Sequence, residues 1–593
     1  MKDFFKYVFA TVVGIIIFIL VFGMLGIMSI VGMVASSEAT TDVKENSVLV
    51  INLKGAMQER AEENPLGMLM GGGTESMGLD EVLNSIAKAR DNEDVKGIYL
   101  EAGLFASDSP ASSLALRKAL LDFKKGGKWI VAYADQYMQN TYYICSVADK
   151  IYMNPQGMVD WHGLSAQPYF LKDLMAKFGV RMQVTKVGAY KSAPEMFTAD
   201  KMSDANREQV SAYINGIWEQ MVGDVAQSRK LTAQQLNSYA DSLITFAAPN
   251  DYISMKLIDK LIYTDQVKDE VKKLLGLGED DDVNTISLAD MKNVKRKPND
   301  GEQIAVYYAY GDIVDEAASG IPSANGHQIV GNTVCKDLKE LADDDDVKAV
   351  VLRINSGGGS AYASEQMWHA IEQLKAKKPV VVSMGGMAAS GGYYMSCNAN
   401  WIVAEPTTLT GSIGIFGMFP DYSNLLTDKL GVKFDLVKTN AHSDFGAPSR
   451  PFSAEEMAYL ETYIDRGYEL FRKRVADGRK LSVEAVEKIA QGHVWLGKDA
   501  LKIKLVDELG GLNEAVAKAA KLAKLEEHYT KSYPGQADLL ETLLQTASQG
   551  SDNYLDSQLR LMLGDYYEPF VLIRNINRHS AIQARIPFYM NIR

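Results

Sequence analysis

DDDDVKAVVL, residues 343–352, decides the fold, because the chain carries a near copy of it, DNEDVKGIYL, at residues 91–100. The offset, 343 against 91, is 252 positions. Three more pairs keep close to that spacing: TYYICSVADKIYMNP (141–155) with GYYMSCNANWIVAEP (392–406), FGVRMQVTK (178–186) with LGVKFDLVK (430–438), and VAQSRKLT (225–232) with VADGRKLS (475–482). Such self-similarity marks a tandem duplication of a unit of about 250 residues.

Each copy alternates short β-branched apolar runs with amphipathic stretches, the pattern of an α/β domain. In the second copy AVVLRI (349–354) predicts a buried strand, SGGGS (356–360) a turn and AYASEQMWHAIEQLKAKK (361–378) a helix. PVVVSM (379–384) and WIVAEP (401–406) predict strands on either side of a helix opened by Ser390. The expected organisation is an N-terminal anchor and linker (1–46), a first domain (47–291), a charged linker carrying Pro and Gly (292–303), a second domain (304–530) and a C-terminal extension (531–593). Within the extension YLDSQLRLMLGDYYEPF (554–570) reads as one amphipathic helix, and the extension is expected to dock on the domain or on a neighbouring subunit.

At 593 residues the chain exceeds what one core supports, so two or more domains are required. A net charge of −13 argues against nucleic acid as a partner. Cys145, Cys335 and Cys397 lack metal-ligand spacing and cannot all pair within one chain, and the seven histidines form no zinc pattern, so neither a metal nor another cofactor is expected. No charge occurs between Lys6 and Glu38. The apolar run from Val8 to Val34 exceeds the roughly 20 residues a bilayer crossing needs and is too long for a cleaved secretory signal. It predicts one transmembrane helix. Lys2 and Lys6 ahead of it place the N-terminus in the cytoplasm and the remaining chain on the exported side.

Chemistry points to the second copy. A serine nucleophile needs an oxyanion hole and a base. MAASGGYY (387–394) sets Ser390 at the start of a helix after a strand, and SGGGS supplies a second glycine turn, so the N–H groups of Gly358 and Gly391 are the candidate hole. GSIGIFG (411–417) adds a third turn containing Ser412.

SGGGS, AASGGYY and EPTTLTGSIGIFG, on a duplicated chain with an N-terminal anchor, resemble the signal peptide peptidase A (protease IV) family of the long two-unit type. The resemblance covers nearly everything after the anchor. It implies a tandem duplication of a Clp protease/crotonase-like spiral domain, and a Ser/Lys endopeptidase that cleaves signal peptides left in the bacterial inner membrane. It further implies a homo-oligomer, a tetramer, with catalytic domains in the periplasm. One departure stands out: Gly357 fills a position where the family usually has proline.

Aligned on its own copy, Ser390 falls opposite Gln139, Gly391 opposite Asn140 and Ser412 opposite Trp161, so the first unit cannot perform acyl transfer alone. Lys186 is matched by Lys438, whereas Lys191 is matched by Ser443. The unshared lysine is the better candidate for divided labour. AYKSA (189–193) matches the motif whose lysine is the general base in the family, which assigns that role to Lys191. Such a lysine must lose its proton, from an ordinary pKa of about 10.4, and burial in a cleft between the units would achieve that. Ser412 is expected to orient Lys191, and Ile413, Ile415 and Phe416 either line a substrate pocket or pack the core. The rivals are a crotonase-like acyl-CoA enzyme, which needs neither Ser390 nor Lys191, and a non-catalytic membrane scaffold.

Overall fold

The structure, a computed structural model, describes residues 40–61, 77–295, 301–316, 327–535 and 581–586, with nine positions between 6 and 21. Those nine are helical. Among the described residues no helix is long and apolar enough to cross a membrane. Most of the run from Val8 to Val34, and all of the helix expected at 554–570, lie outside them.

Two parallel sheets carry the duplication. In the first, Ser47–Gln58, Val95–Ser107, Trp129–Ala134, Lys150–Met153 and Lys260–Leu261 lie side by side, with Met77–Gly78 and Thr285–Ser287 on the outer strand. In the second, Glu302–Tyr310, Val347–Ser356 and Val380–Ala389 form the centre. Leu352 pairs with Tyr307 on one side and Val382 on the other. The strand Val347–Ser356 is buried on both faces, which its unbroken apolar run requires. Val350, Leu352 and Ile354 pack one way, towards the helices Gly331–Asp343 and Ala361–Lys375, while Ala349 and Val351 pack the other way, under Leu512–Ala523. Period-two alternation therefore feeds two layers of core.

The copies agree down to their helix ends. Asp204–Arg229 and Ala454–Arg479 are each 26 residues long. Each is capped by a serine, Ser203 or Ser453, and each stops on a left-handed lysine, Lys230 or Lys480. The chain is thus an α/β protein built of duplicated domains.

Two strands extend beyond the expected elements, through glycine-containing stretches. Val380–Ala389 runs five residues past PVVVSM because Met387, Ala388 and Ala389 pair with Leu409, Thr410 and Gly411. Likewise Gly358–Ser360, expected within a turn, is a short strand. It belongs to a third, six-stranded sheet in the order Gln328–Val330, Asp312–Val314, Gly358–Ser360, Ile582–Arg585, Phe416–Asp421 and Arg181–Lys186. The last of these comes from the first copy and pairs antiparallel with Phe416–Asp421, from Phe416 opposite Lys186 to Asp421 opposite Arg181. This shared strand carries the chain of the first copy to the second copy's glycine turns. Away from it the halves are joined by a buried ion pair, Arg353 Nε to Glu59 Oε1 at 2.5 Å, and by Lys118 with Glu405.

Candidate active site

Ser390 follows directly on the strand Val380–Ala389 and precedes the helix Gly391–Ser396. Its backbone takes φ +52°, ψ −111°, a strained conformation for a residue with a side chain. Its N–H donates to Gly411 O at 2.8 Å, so the neighbouring strand holds the kink in place. The serine is fully buried.

Lys191 reaches it from the first copy. Beyond Lys186 the chain turns through residues 187–190, where Val187 N–H donates to Ile415 O and Tyr190 N–H to Gln491 O. The Lys191 carbonyl accepts from Lys186 Nζ at 3.2 Å. The buried Gln209 amide ties this loop to the second copy: Nε2 donates to Tyr190 O and Ser192 Oγ, and Oε1 accepts from Val494 N–H. Lys191 Nζ then lies 2.6 Å from Ser390 Oγ, 3.1 Å from Ser412 O and 3.2 Å from Ser412 Oγ. Lys191 is 1% exposed, and among the described residues no carboxylate pairs with it. Desolvation with no compensating charge pushes its pKa well below the ordinary lysine value.

Sequence reasoning missed the segment QGHVW, residues 491–495, that closes over this lysine. Gly492 sits at φ +80°, and a Cβ there would lie 2.6 Å from Lys191 N and 2.7 Å from its Cα and Cβ. His493 O accepts the Ser412 N–H at 2.7 Å, while the His493 ring stacks on Trp495 and meets the Tyr190 ring at a tilt. Burial lowers the His493 pKa. A signal did exist: at the repeat offset of 250 this stretch falls opposite DSLIT, residues 241–245, with no glycine and no histidine.

Gly358 and Gly391 are neighbours, since a Cβ on Gly358 would stand 2.8 Å from Gly391 N. Gly358 N–H donates to Ser356 Oγ at 3.1 Å. Ile413 and Ile415 pack into the core of the second copy, and Phe416 into a separate cluster with Leu171, Met196 and Phe197. Lys438, the repeat partner of Lys186, is held by Asp444 at 2.5 Å.

The equivalent place in the first copy is filled. Gln139 accepts from the N–H groups of His162 and Gly163 and donates to Gly163 O. Trp161, opposite Ser412, is buried with its ring N–H on Leu236 O. Asn140, opposite Gly391, bonds Ser107 and Ser113.

The sequence profile described as Peptidase family S49 matches residues 122–278 and 372–526, and that described as Clp protease matches residues 302–401. The chain is similar to "Protease 4" of Salmonella typhi, 36% identical over 520 residues covering 86% of this chain and 80% of that one. It is 33% identical to "Protease 4" of Haemophilus influenzae over 563 residues, 90% of each chain. It is also 30% identical to "Serine protease SPPA, chloroplastic" of Arabidopsis thaliana over 491 residues, 82% of this chain and 70% of that one.

Proposed function

Because the chain belongs to peptidase family S49 and is a serine protease of the Protease 4 type, we propose that Ser390 is its nucleophile, that Lys191 is its general base, and that it degrades signal peptides left in the membrane. The observation that carries this reading is the 2.6 Å contact between the Ser390 hydroxyl and a lysine that burial drives towards its neutral form.

A neutral amine at that distance takes the hydroxyl proton as Oγ attacks a peptide carbonyl. Negative charge then develops on the carbonyl oxygen beside Gly358 and Gly391, whose N–H groups stabilise it, Gly358 exchanging Ser356 Oγ for the oxyanion. The lysine ammonium passes its proton to the departing amine. Neutral again, it deprotonates the water that releases the acyl group from Ser390. Ser412 orients the ammonium through its hydroxyl and carbonyl oxygens while it carries charge. The first copy contributes the base and no second site, in keeping with Gln139 at the serine position. A crotonase-like acyl-CoA enzyme would have no use for the Ser390–Lys191 contact.

The charge-free residues 8–34 behind Lys2 and Lys6 support a single-pass anchor in a bacterial inner membrane, with domains 47–291 and 304–530 on the periplasmic side. A homo-oligomer, a tetramer as the family resemblance implies, is in keeping with the exposed apolar residues Leu430, Phe434, Leu436 and Val437, the last 95% exposed. They are the repeat counterparts of the shared strand Arg181–Lys186 and its approach.

Full-length wild type and Ser390→Ala in vesicles, given an apolar peptide of about 20 residues, test this reading. Cleavage by wild type alone, faster than that of a polar peptide of equal length, is expected. Equal cleavage by Ser390→Ala would overturn the nucleophile, and equal rates on both peptides the substrate.

A further inference from the structure

A cavity of about 540 Å³, within the size range of small-molecule sites, opens at the end of the helix Gly391–Ser396 remote from Ser390. Its lining comes from Trp368 and Lys375 on the helix Ala361–Lys375, from Asn398 and Trp401, and from Asp477 and Lys480 at the end of the helix Ala454–Arg479. None of the glycine turns around Ser390 contributes to it.

The first copy has the same frame, with the space crossed by a side chain. Lys375 Nζ donates to Asn398 O at 2.7 Å, as Lys124 Nζ does to Val147 O at 2.8 Å, and Arg479 pairs with Asp507 as Arg229 does with Asp259. At the repeat offset of 251 Trp368 falls opposite Arg117. That buried guanidinium crosses to the long helix Asp204–Arg229, donating to Asp224 O at 2.7 Å and to Ser228 Oγ at 2.6 Å. In the second copy Gly478 stands opposite Ser228, and the Trp368 ring N–H is buried without a hydrogen-bond partner. The bridge of the first copy is missing from the copy that carries the serine.

Unmet polar chemistry lines the opening. The Asn398 side chain, on a residue 2% exposed, donates through Nδ2 to Trp368 O at 3.0 Å, but its Oδ1 accepts from nothing among the described residues. Neighbouring side chains thus hold one orphan donor and one orphan acceptor, each a cost until it is met. Together they match the C=O and N–H of one peptide bond. The charges leave a matching remainder. Glu372 pairs with Lys375 and Asp507 with Arg479, whereas neither Asp477 nor Lys480 has an ion-pair partner among the described residues. The Arg474 guanidinium already lies on the Trp368 ring and the Lys518 ammonium on that of Trp401, so the rings are not an empty cage for a cation and offer the cavity apolar surface.

We propose that this cavity binds a free dipeptide or tripeptide as a zwitterion, with its amide between Trp368 and Asn398, its ammonium on Asp477 and its carboxylate on Lys480. Such molecules are what a peptidase releases. The site lies apart from the reacting atoms, and its assignment does not depend on Ser390 being the nucleophile.

The test is isothermal titration of leucyl-leucine into the full-length chain in detergent micelles, carrying Ser390→Ala so that binding is read without turnover. Asp477→Asn and Lys480→Asn each remove one charge at an exposed position, and asparagine suits the left-handed backbone at 480, φ +56°. Each variant is expected to weaken binding by about tenfold or more, the worth of a charge-assisted hydrogen bond. The N-acetylated dipeptide should lose the same factor and then ignore Asp477→Asn, and the C-terminally amidated dipeptide should do likewise with Lys480→Asn. Leucine, which lacks the amide, should bind at least about tenfold more weakly than the dipeptide. Absence of saturable binding at about 10 mM probe, or an affinity unchanged in both variants, would overturn the site. Leucine binding as tightly as leucyl-leucine would overturn the ligand class. A dipeptide held at the Ser390 site alone would give the unchanged affinity, so it counts against the proposal.

Discussion

Gly492→Ala tests whether the lysine is positioned by the segment that covers it. The substitution places a methyl 2.6–2.7 Å from three atoms of Lys191, where ordinary contact begins near 3.4 Å, so the lysine or its cover must retreat by about 0.7 Å. The left-handed backbone at φ +80° adds about 1–2 kcal/mol of strain for alanine. Displacements approaching 1 Å at a reacting group cost about a hundredfold in rate, equivalent to about 2.7 kcal/mol of activation free energy. The expectation is a kcat about a hundredfold lower with a modest fall in Tm, read from progress curves on a peptide substrate and from thermal unfolding. Gly431→Ala is the control: it shares a positive φ, +70°, but its methyl would meet nothing within 4 Å, so kcat should not change. A Gly492→Ala chain with wild-type kcat and Tm would refute the reasoning.

Three other outcomes follow from the same geometry. The depressed pKa of Lys191 means that, between that pKa and the ordinary value of 10.5, the unfolded chain binds a proton the folded chain does not; stability contributed through this group therefore rises with pH across that window and is lost as pH falls through it. Lys191→Met should abolish turnover yet raise the denaturant midpoint at neutral pH, with the gain shrinking towards pH 10; no gain at pH 7 would contradict the burial argument. Gln139→Ser should create no second reactive serine, so intact mass after exposure to an acylating probe should still show one adduct, and the lost amide bonds should cost about 1–3 kcal/mol in urea unfolding. Arg353→Ala leaves Glu59 buried and unpaired and should cost about 3–5 kcal/mol, most of it recovered when Glu59→Leu is added to Arg353→Met; a single-variant loss below 1 kcal/mol would show the halves are not joined there.

Much of this was legible in the sequence, for physical reasons that can be named. DNEDVKGIYL and DDDDVKAVVL begin matching strands because a buried parallel strand has little freedom in its apolar pattern. Comparing the copies also separated Lys191, which reaches Ser390, from Lys186, which bonds the Lys191 carbonyl and so supports the loop. What escaped detection depends on close approach between distant segments. QGHVW reads as an ordinary turn, and the need for glycine at 492 exists only once Lys191 lies beneath it. GGMA at 385–388 resembles a break, yet it continues a strand because Leu409–Gly411 waits alongside. IQAR at 582–585 is too short to show alternation, and it is a strand by virtue of the two edges that receive it.

The central claim, a serine in one copy activated by a lysine from the other, is tested most directly by intact-protein mass spectrometry of the full-length chain after treatment with a fluorophosphonate at neutral pH. The account predicts one adduct, on Ser390, in wild type, and labelling slower by a factor on the order of a hundred or more in Lys191→Ala, the loss general-base removal brings. Labelling of Ser390 at the wild-type rate in Lys191→Ala would contradict it.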